Sequence, residues 1–523
     1  LLQGIDALPC EVEVDHDPLA QDKPPMVVGL PDAAVRESVE RVRAALMNCG
    51  YAVPAGRTLI NLAPADLRKE GPIYDLPIAL GLLQGQGVIG PGAAGRPGRR
   101  GSTISAGEEH ASDDEPMDVR RFLVAGELAL DGRVRPVRGV IAMASLAAAL
   151  GLRGVIVPEE NAREAAAVPG IEAHGVSTLS QVVGLLTGRL EPEPVAPVDI
   201  HSLLRAATTE IDFADVRGQE AVKRAITIAA AGSHNILLLG PAGTGKSMMA
   251  QALPGILPPL APEEAIEITR IYSAAGALAP GQGLVSLRPV RAPHHTASPP
   301  AIVGGGAIPR PGEVSLAHRG VLFLDELPEF PRAVLETLRQ PLENHVVSIA
   351  RAHSSVRFPA SFMLVAAMNP TPKGDVPRDQ VGQSAMKRYL ARLSGPLIDR
   401  IDIHVEAPAV PWKHLSDRSG PSGTSSAQMR DQVLRARARQ GQRQGPLEPN
   451  SRLSGRRLDA LAPMSESARN LLGQAITELG LSARAYDKIR RVSRTIADLD
   501  QADLIDLPHV AEAVQYRLLD RQS

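Results

Sequence analysis

The residues with the most chemistry to offer form one stretch, Gly240-Pro241-Ala242-Gly243-Thr244-Gly245-Lys246-Ser247. The spacing G-x-x-x-x-G-K-S is that of a phosphate-gripping loop. Its glycines let backbone N–H groups converge on phosphate oxygens. Lys246 places positive charge at the β- and γ-phosphates, and the Ser247 hydroxyl ligates Mg²⁺. A second set follows in "GVLFLDELPEF". Asp325, at the tip of an apolar run, can hold Mg²⁺ through water, and Glu326 can orient and polarise an attacking water. A third run, "SFMLVAAMN", ends on Asn369. Its amide can hydrogen-bond the γ-phosphate or that water. The expected cofactors are ATP and Mg²⁺.

These groups must be held by strands and helices, and the surrounding pattern supplies them. "NILLL" precedes the loop as a buried strand and "SMMAQAL" continues it as a helix, the context such a loop requires. Strand and helix patterns alternate between residues 200 and 416, which predicts a parallel α/β sheet. Beyond "DRSGPSGTSSAQ", residues 417–523 read as a small C-terminal helical lid, with helical periods in "SESARNLLGQAITELG", "SARAYDKIRRVSRTIADL" and "LPHVAEAVQYRLLD". Residues 1–190 mix the two periods. "EVEVD" alternates as a strand, "DAAVRESVERVRAALMNCG" has helical spacing, and "FLVAGELAL" and "GVIVP" read as strands around the helix "AMASLAAALGL". Gly90–Asp118, Gly/Ser-rich and then acidic, reads as a mobile loop. The Pro-rich 191–199 reads as a linker.

Composition limits the classes. The 523 residues leave room for two to four domains. The two cysteines, Cys10 and Cys49, form no C-x-x-C pair, so a disulfide framework is not expected. There is no apolar run of about 18 residues and no signal peptide, so the expectation is a cytoplasmic protein with no membrane span. The opening "LLQGIDALPCEVEVD" looks like a strand entered midway, and a few preceding residues are expected. Residues 1–190 carry 18 Lys/Arg against 24 Asp/Glu, and the remainder 38 against 34. The basic excess peaks between Arg435 and Arg457, with seven Arg and one acid. Two readings stay open there: a solvated surface helix and loop, or a phosphate-backbone contact.

The loop, the Asp325-Glu326 pair and Asn369 resemble those of the AAA+ ATPases. The stretches "RAPHHTASPPAIVGGGAIPRPGEVSLAHRGVLFLDELPEF", "LRQPLE", "FPASFMLVAAMNP" and "LSGPLIDRIDIHVE" are similar to the magnesium-chelatase-like AAA+ family, in its ComM/YifB branch. "VVGLPDAAVRESVERVRAAL" and "INLAPADLRKEGPIYDLPIALGLL" extend the resemblance to the front of the chain. It implies a hexameric ring that hydrolyses ATP to move DNA, branched or single-stranded, as a branch-migration helicase in natural transformation and recombination. It implies that Arg400 is an arginine finger reaching a neighbour's γ-phosphate, with Arg392 the alternative, and that Arg484 senses ATP in its own subunit. An ion pair with Asp399 or Asp402 is the plainer reading of Arg400, and an exposed helix arginine that of Arg484. His294 and His295 leave two readings open, a DNA- or pore-facing loop or a structural one. Relatives often carry a cysteine cluster after the sensor Asn. Here Thr371 and Lys373 hold those places, and no zinc is expected.

The implied fold is an α/β AAA+ P-loop core with a helical lid, preceded by a Lon-protease-like α+β domain. "KEGPIYDLPIAL" resembles the nucleophile loop of that protease and "FLVAGELALDGRVRPVRGVIAMASLAAALGLRGVIVPEEN" its lysine-bearing segment. The serine and lysine places hold Ile73 and Ile141, so no Ser–Lys dyad exists there. Two other readings remain: a magnesium-chelatase ATPase subunit, and an ATP-dependent protease or unfoldase.

Overall fold

A computed structural model describes residues 1–17, 25–53, 56–90, 117–306, 309–351, 354–371, 389, 392–410, 423–446, 448–517 and 519. The stretch read as a mobile loop lies almost wholly outside them, as does Lys373. The chain divides into two compact units, Leu1–Ser202 with Ala265–Val285, and Leu203–Glu264 with Ser286–Ser523.

In the first unit, β1 (Glu11–Asp17) pairs antiparallel with β3 (Arg57–Ala63), and β2 (Met26–Val28) pairs parallel with β3. Helix α1 (Ala33–Asn48) starts where Asp32 accepts the Val35 N–H at 2.8 Å, and it buries Val35, Val39, Val42 and Leu46, the face its apolar spacing predicts. A second sheet is wholly parallel, with β4 (Phe122–Val124) and β6 (Glu172–Val176) flanking β5 (Gly154–Pro158). Helix α2 (Asp75–Gly85) and helix α3 (Val140–Ala149) complete the pattern.

One expectation needs correction. "FLVAGELAL" is not one strand. It breaks at Ala125-Gly126, and Glu127–Leu128 pairs instead with Val134–Arg135. A Cβ on Gly126 would lie 2.8 Å from Val134 Cγ1, so the glycine permits a close crossing that a continuous strand would not make. Residues 191–199, read as a linker, run against the first unit. Val195 N–H donates to Ala173 O (2.8 Å) and Val198 N–H to Ala166 O (3.1 Å), which ties the Pro-rich segment along the first unit as far as Ser202.

The second unit is built on five parallel strands: β7 (Ile236–Leu239), β8 (Val290–Arg291), β9 (Val321–Leu324), β10 (Met363–Met368) and β11 (Ile403–Glu406), in the order β8-β9-β10-β7-β11. β7, β9 and β10 are buried throughout, as a sheet covered on both faces requires. Helix α4 (Glu220–Gly232) precedes β7. The tail contributes α5 (Ser426–Gln444), α6 (Glu466–Leu479), α7 (Ala483–Leu499) and α8 (Leu507–Gln515). It does not form a core of its own. Met429 and Val433 of α5 and Ile489, Val492 and Ile496 of α7 share one apolar cluster with Ile236 and Leu238 of β7.

Candidate active site

The loop 240–247 grows from the C-terminal end of β7. Gly240 N–H donates to Met368 O (3.1 Å), and a Cβ there would fall 2.1 Å from Ala407 O, so the position excludes any side chain. Gly243 and Gly245 turn the chain at φ +79° and +84°, a region open to glycine at little cost. Lys246 is buried. Its Nζ donates to Gly240 O (2.7 Å), Pro241 O (2.8 Å) and Asn369 Oδ1 (3.2 Å). Burial lowers its pKa, while Asp325 and Glu326 pull the other way. The ammonium thus sits inside the turn, beside the tip of β10.

The tip of β9 faces the same loop. Asp325 Oδ2 accepts from Ser247 Oγ at 2.8 Å, and Asp325 Oδ1 accepts the Glu326 N–H at 2.9 Å. A hydroxyl and a carboxylate at this separation are a hard oxygen pair suited to Mg²⁺. Glu326 is left-handed, φ +52°, and its Oε2 lies 3.5 Å from His295 Nδ1. The His295 ring stacks on His294 (centroids 4.1 Å apart) and meets the edge of Phe330. Lys246, Ser247, Asp325, Glu326 and Asn369 are therefore gathered at the C-terminal ends of adjacent parallel strands, where open α/β sheets bind ligands.

Arg400 and Arg484 lie elsewhere. Arg400 immediately precedes the run into β11, at the N-terminal edge of the sheet. Its side chain pairs with Glu343 and donates to Pro396 O, and its buried Nε has no partner among the described residues. The partner is thus neither Asp399 nor Asp402. Arg484, in the first turn of α7, is 72% exposed and reaches Asp399 Oδ2 at 3.9 Å. One turn on, Lys488 Nζ donates to Asp399 O and Ile401 O and lies 3.6 Å from Asp402 Oδ1. β7 separates this edge from the loop by roughly 13–16 Å of strand. Arg484, expected to sense the nucleotide of its own subunit, thus stands at the opposite edge of the sheet from the loop. Helix α7 packs so that its N-terminus meets the turn at Arg400, not the loop at Lys246. Arg392 is engaged with Glu329 at 3.1 Å and lies over Tyr389.

Three family models cover most of the chain: "Magnesium chelatase, subunit ChlI" over residues 212–415, its C-terminal counterpart over 423–517, and "Subunit ChlI of Mg-chelatase" over 12–93 and 103–161. Competence protein ComM of Haemophilus influenzae is 43% identical, over 99% of this chain and 96% of its own. The chain belongs to the ComM/YifB branch of the magnesium-chelatase-like family. YifB of Escherichia coli is 41% identical over 99% of this chain and 96% of its own. The magnesium-chelatase 38 kDa subunit of Rhodobacter capsulatus is 30% identical, over 31% of this chain and 51% of its own.

Membership of this AAA+ family makes the chain an ATPase that uses ATP and Mg²⁺, and the residues present fit both. The loop accepts no side chain at 240, and Ser247 and Asp325 offer paired oxygens. No helix among the described residues is long and apolar enough to cross a membrane.

One residue escaped the sequence reading. Asn235 reads as an ordinary residue before a strand, yet it ties three segments. Its Nδ2 donates to Arg400 O (2.9 Å), its Oδ1 accepts Leu364 N–H (2.9 Å), and its own N–H donates to Asp402 Oδ2 (3.1 Å). His295 was noticed without its partner, because Glu326 is 31 positions away. The Arg-rich stretch is also largely explained. Arg443 pairs with buried Asp498 (2.7 Å), Arg437 donates to Ala230 O and Ser233, Arg439 pairs with Asp503 and Arg457 with Glu448. These pairings hold four of its seven arginines in contacts within the second unit.

Proposed function

We propose that this ATPase works as a ring and that its hydrolysis moves DNA. The observation that supports a ring is the split site. Lys246, Ser247, Asp325 and Glu326 occupy one edge of the sheet, and Arg400 and Arg484 the other. An arginine that cannot reach its own loop can complete the site of a neighbour, and a hexamer is the closed ring we infer. Bound ATP supplies the hydrolysable phosphoryl group and Mg²⁺ offsets its charge. Lys246 and Asn369 hold the phosphates, Ser247 and Asp325 the metal, and Glu326 orients the attacking water. Arg400 and Arg484 of the adjacent subunit offset the charge that develops.

DNA as the track rests on the similarity to a competence protein along nearly the whole chain; branch migration is the activity we infer. The magnesium-chelatase 38 kDa subunit is similar over only 31% of the chain, where the competence protein is similar over 99%, and this difference favours the DNA reading over the chelatase one. We read the first unit as a Lon-like scaffold without protease activity. Ile141 is buried with its N–H on Glu164 (2.8 Å), and Ile73 packs on the core of the first unit, so neither place offers a nucleophile or a base.

The test is the ATPase rate with and without single-stranded and branched DNA, followed by subunit mixing. Arg400→Ala and Glu326→Gln proteins should each be inactive, and mixing them should restore turnover at interfaces where an intact Arg400 meets an intact Glu326. No stimulation by either DNA would refute the track. No recovery at any ratio, with assembly verified, would refute action between subunits.

A further inference from the structure

A second cation cluster lies within the same unit, away from the loop. A cavity of about 330 Å³ opens beside Gly320 and Met363, at the N-terminal ends of β9 and β10. Arg288, Arg319, Arg437 and Arg452 line it together with His345, and Glu264 is the one acid among its described lining residues. Glu264 is already shared: Arg288 Nη2 meets its Oε2 at 2.9 Å and Arg319 Nη1 its Oε1 at 3.6 Å. The lining thus sets four guanidinium groups around one carboxylate, with Arg288 also donating to Pro258 O (2.6 Å) and Arg319 O (2.7 Å) and Arg437 to Ala230 O (3.3 Å).

The groups feel one another. Burial, then Arg288 and Arg452, push the Arg437 guanidinium down to about 9, with Glu264 only partly opposing. Burial lowers Arg288 too, with Arg319 adding to the effect against Glu264. His345 is pushed down to about 4 by burial and by Arg452, His318 and Arg319, so its ring is neutral near pH 7. Arg437 Nε is buried and has no hydrogen-bond partner among the described residues. Gathering like charges in a desolvated pocket is costly unless a counter-charge enters. Planar guanidinium forks match the oxygen spacing of phosphate, and each contact is charge-assisted.

We propose that this cavity is a second anion site, for a tetrahedral oxyanion of the phosphate class, distinct from the loop at Lys246. The shared chemistry admits two sources, inorganic phosphate and the phosphate end of a nucleotide. The cavity lies across the sheet from the loop, so its occupant is not the nucleotide that Lys246 holds.

The experiment uses the full chain with Lys246→Ala, which weakens the loop as a phosphate site. Thermal unfolding is followed against inorganic phosphate, ADP, and chloride at matched ionic strength. Phosphate, ADP or both should raise Tm saturably where chloride does not, and the more effective of the two identifies the source. Adding Arg437→Gln or Arg452→Gln should weaken the apparent Kd roughly tenfold or more, the effect of losing a charge-assisted contact. The proposal is overturned if the saturable rise is absent in the Lys246→Ala protein, if chloride reproduces it, or if neither arginine substitution weakens it.

Discussion

Replacing Asn235 probes how the two edges of the sheet are linked. Asn235→Ala removes two side-chain hydrogen bonds of 2.9 Å, one to Arg400 O and one from Leu364 N–H. Each is worth about 1 kcal/mol net, and a partly buried group left unpaired adds about 1–3 kcal/mol. The expected loss is therefore about 3–5 kcal/mol, a fall in Tm of roughly 5–10 °C. ATP affinity should hold, because Lys246 keeps its bonds to Gly240 O and Pro241 O. Turnover should fall, because the turn at Arg400 loses one of its anchors. Lys488 is another, beside Arg517, which donates to Ile401 O at 2.7 Å, so Asn235→Ala and Lys488→Met should be non-additive in a double-mutant cycle. Asn235→Asp should be worse than Ala near neutral pH despite its shape. It turns a donor into a carboxylate facing Arg400 O, beside Asp402, whose Oδ2 accepts the Asn235 N–H at 3.1 Å. Like charge raises the pKa of the introduced group. A raised carboxyl pKa means that its neutral form is favoured in the folded protein, so stability is recovered as pH falls toward about 4 and lost as pH rises. Denaturant unfolding by circular dichroism at a series of pH values, with ATP binding and turnover beside it, reads each quantity. Weakened ATP binding with unchanged turnover in Asn235→Ala would refute the link, as would an Asn235→Asp protein with no acid recovery.

Lys246→Ala should abolish tight ATP binding by calorimetry, since the phosphates lose a buried cation; unchanged affinity would remove the loop from the site. Glu326→Gln should bind ATP and hydrolyse it at least about a hundredfold more slowly, the usual size of a general-base contribution; normal turnover would end that assignment. His295→Phe keeps a ring against Phe330 but removes the nitrogen 3.5 Å from Glu326, and it should change turnover with little effect on ATP affinity; single-turnover kinetics separate the two. Lys488, pushed down to about 8 by burial against the pull of Asp402, releases its proton in the folded state before the unfolded chain does. The unfolded chain binds more protons between about pH 8 and 10.4, so Lys488 makes stability rise with pH through that window. Lys488→Met should lose this rise in alkaline unfolding curves.

The loop, the acidic pair and Asn369 were legible in the sequence because each is a local event. A buried strand of four to six apolar residues ends, and the polar residue at its tip follows directly. Strand identity and polar tip are then read from neighbouring positions, and a parallel sheet places such tips together. The reach of Arg484 was not legible. Its surroundings depend on how α7 packs against the sheet, and that packing is set by Ile489, Val492 and Ile496 meeting the shared core. The same holds for Asn235, whose partners lie 129 and 165 positions away, and for the cation cavity, whose arginines come from four separate segments. Helical periodicity says which face of a helix is buried. Which edge of the sheet its first turn will meet is decided only when all the apolar faces are packed at once.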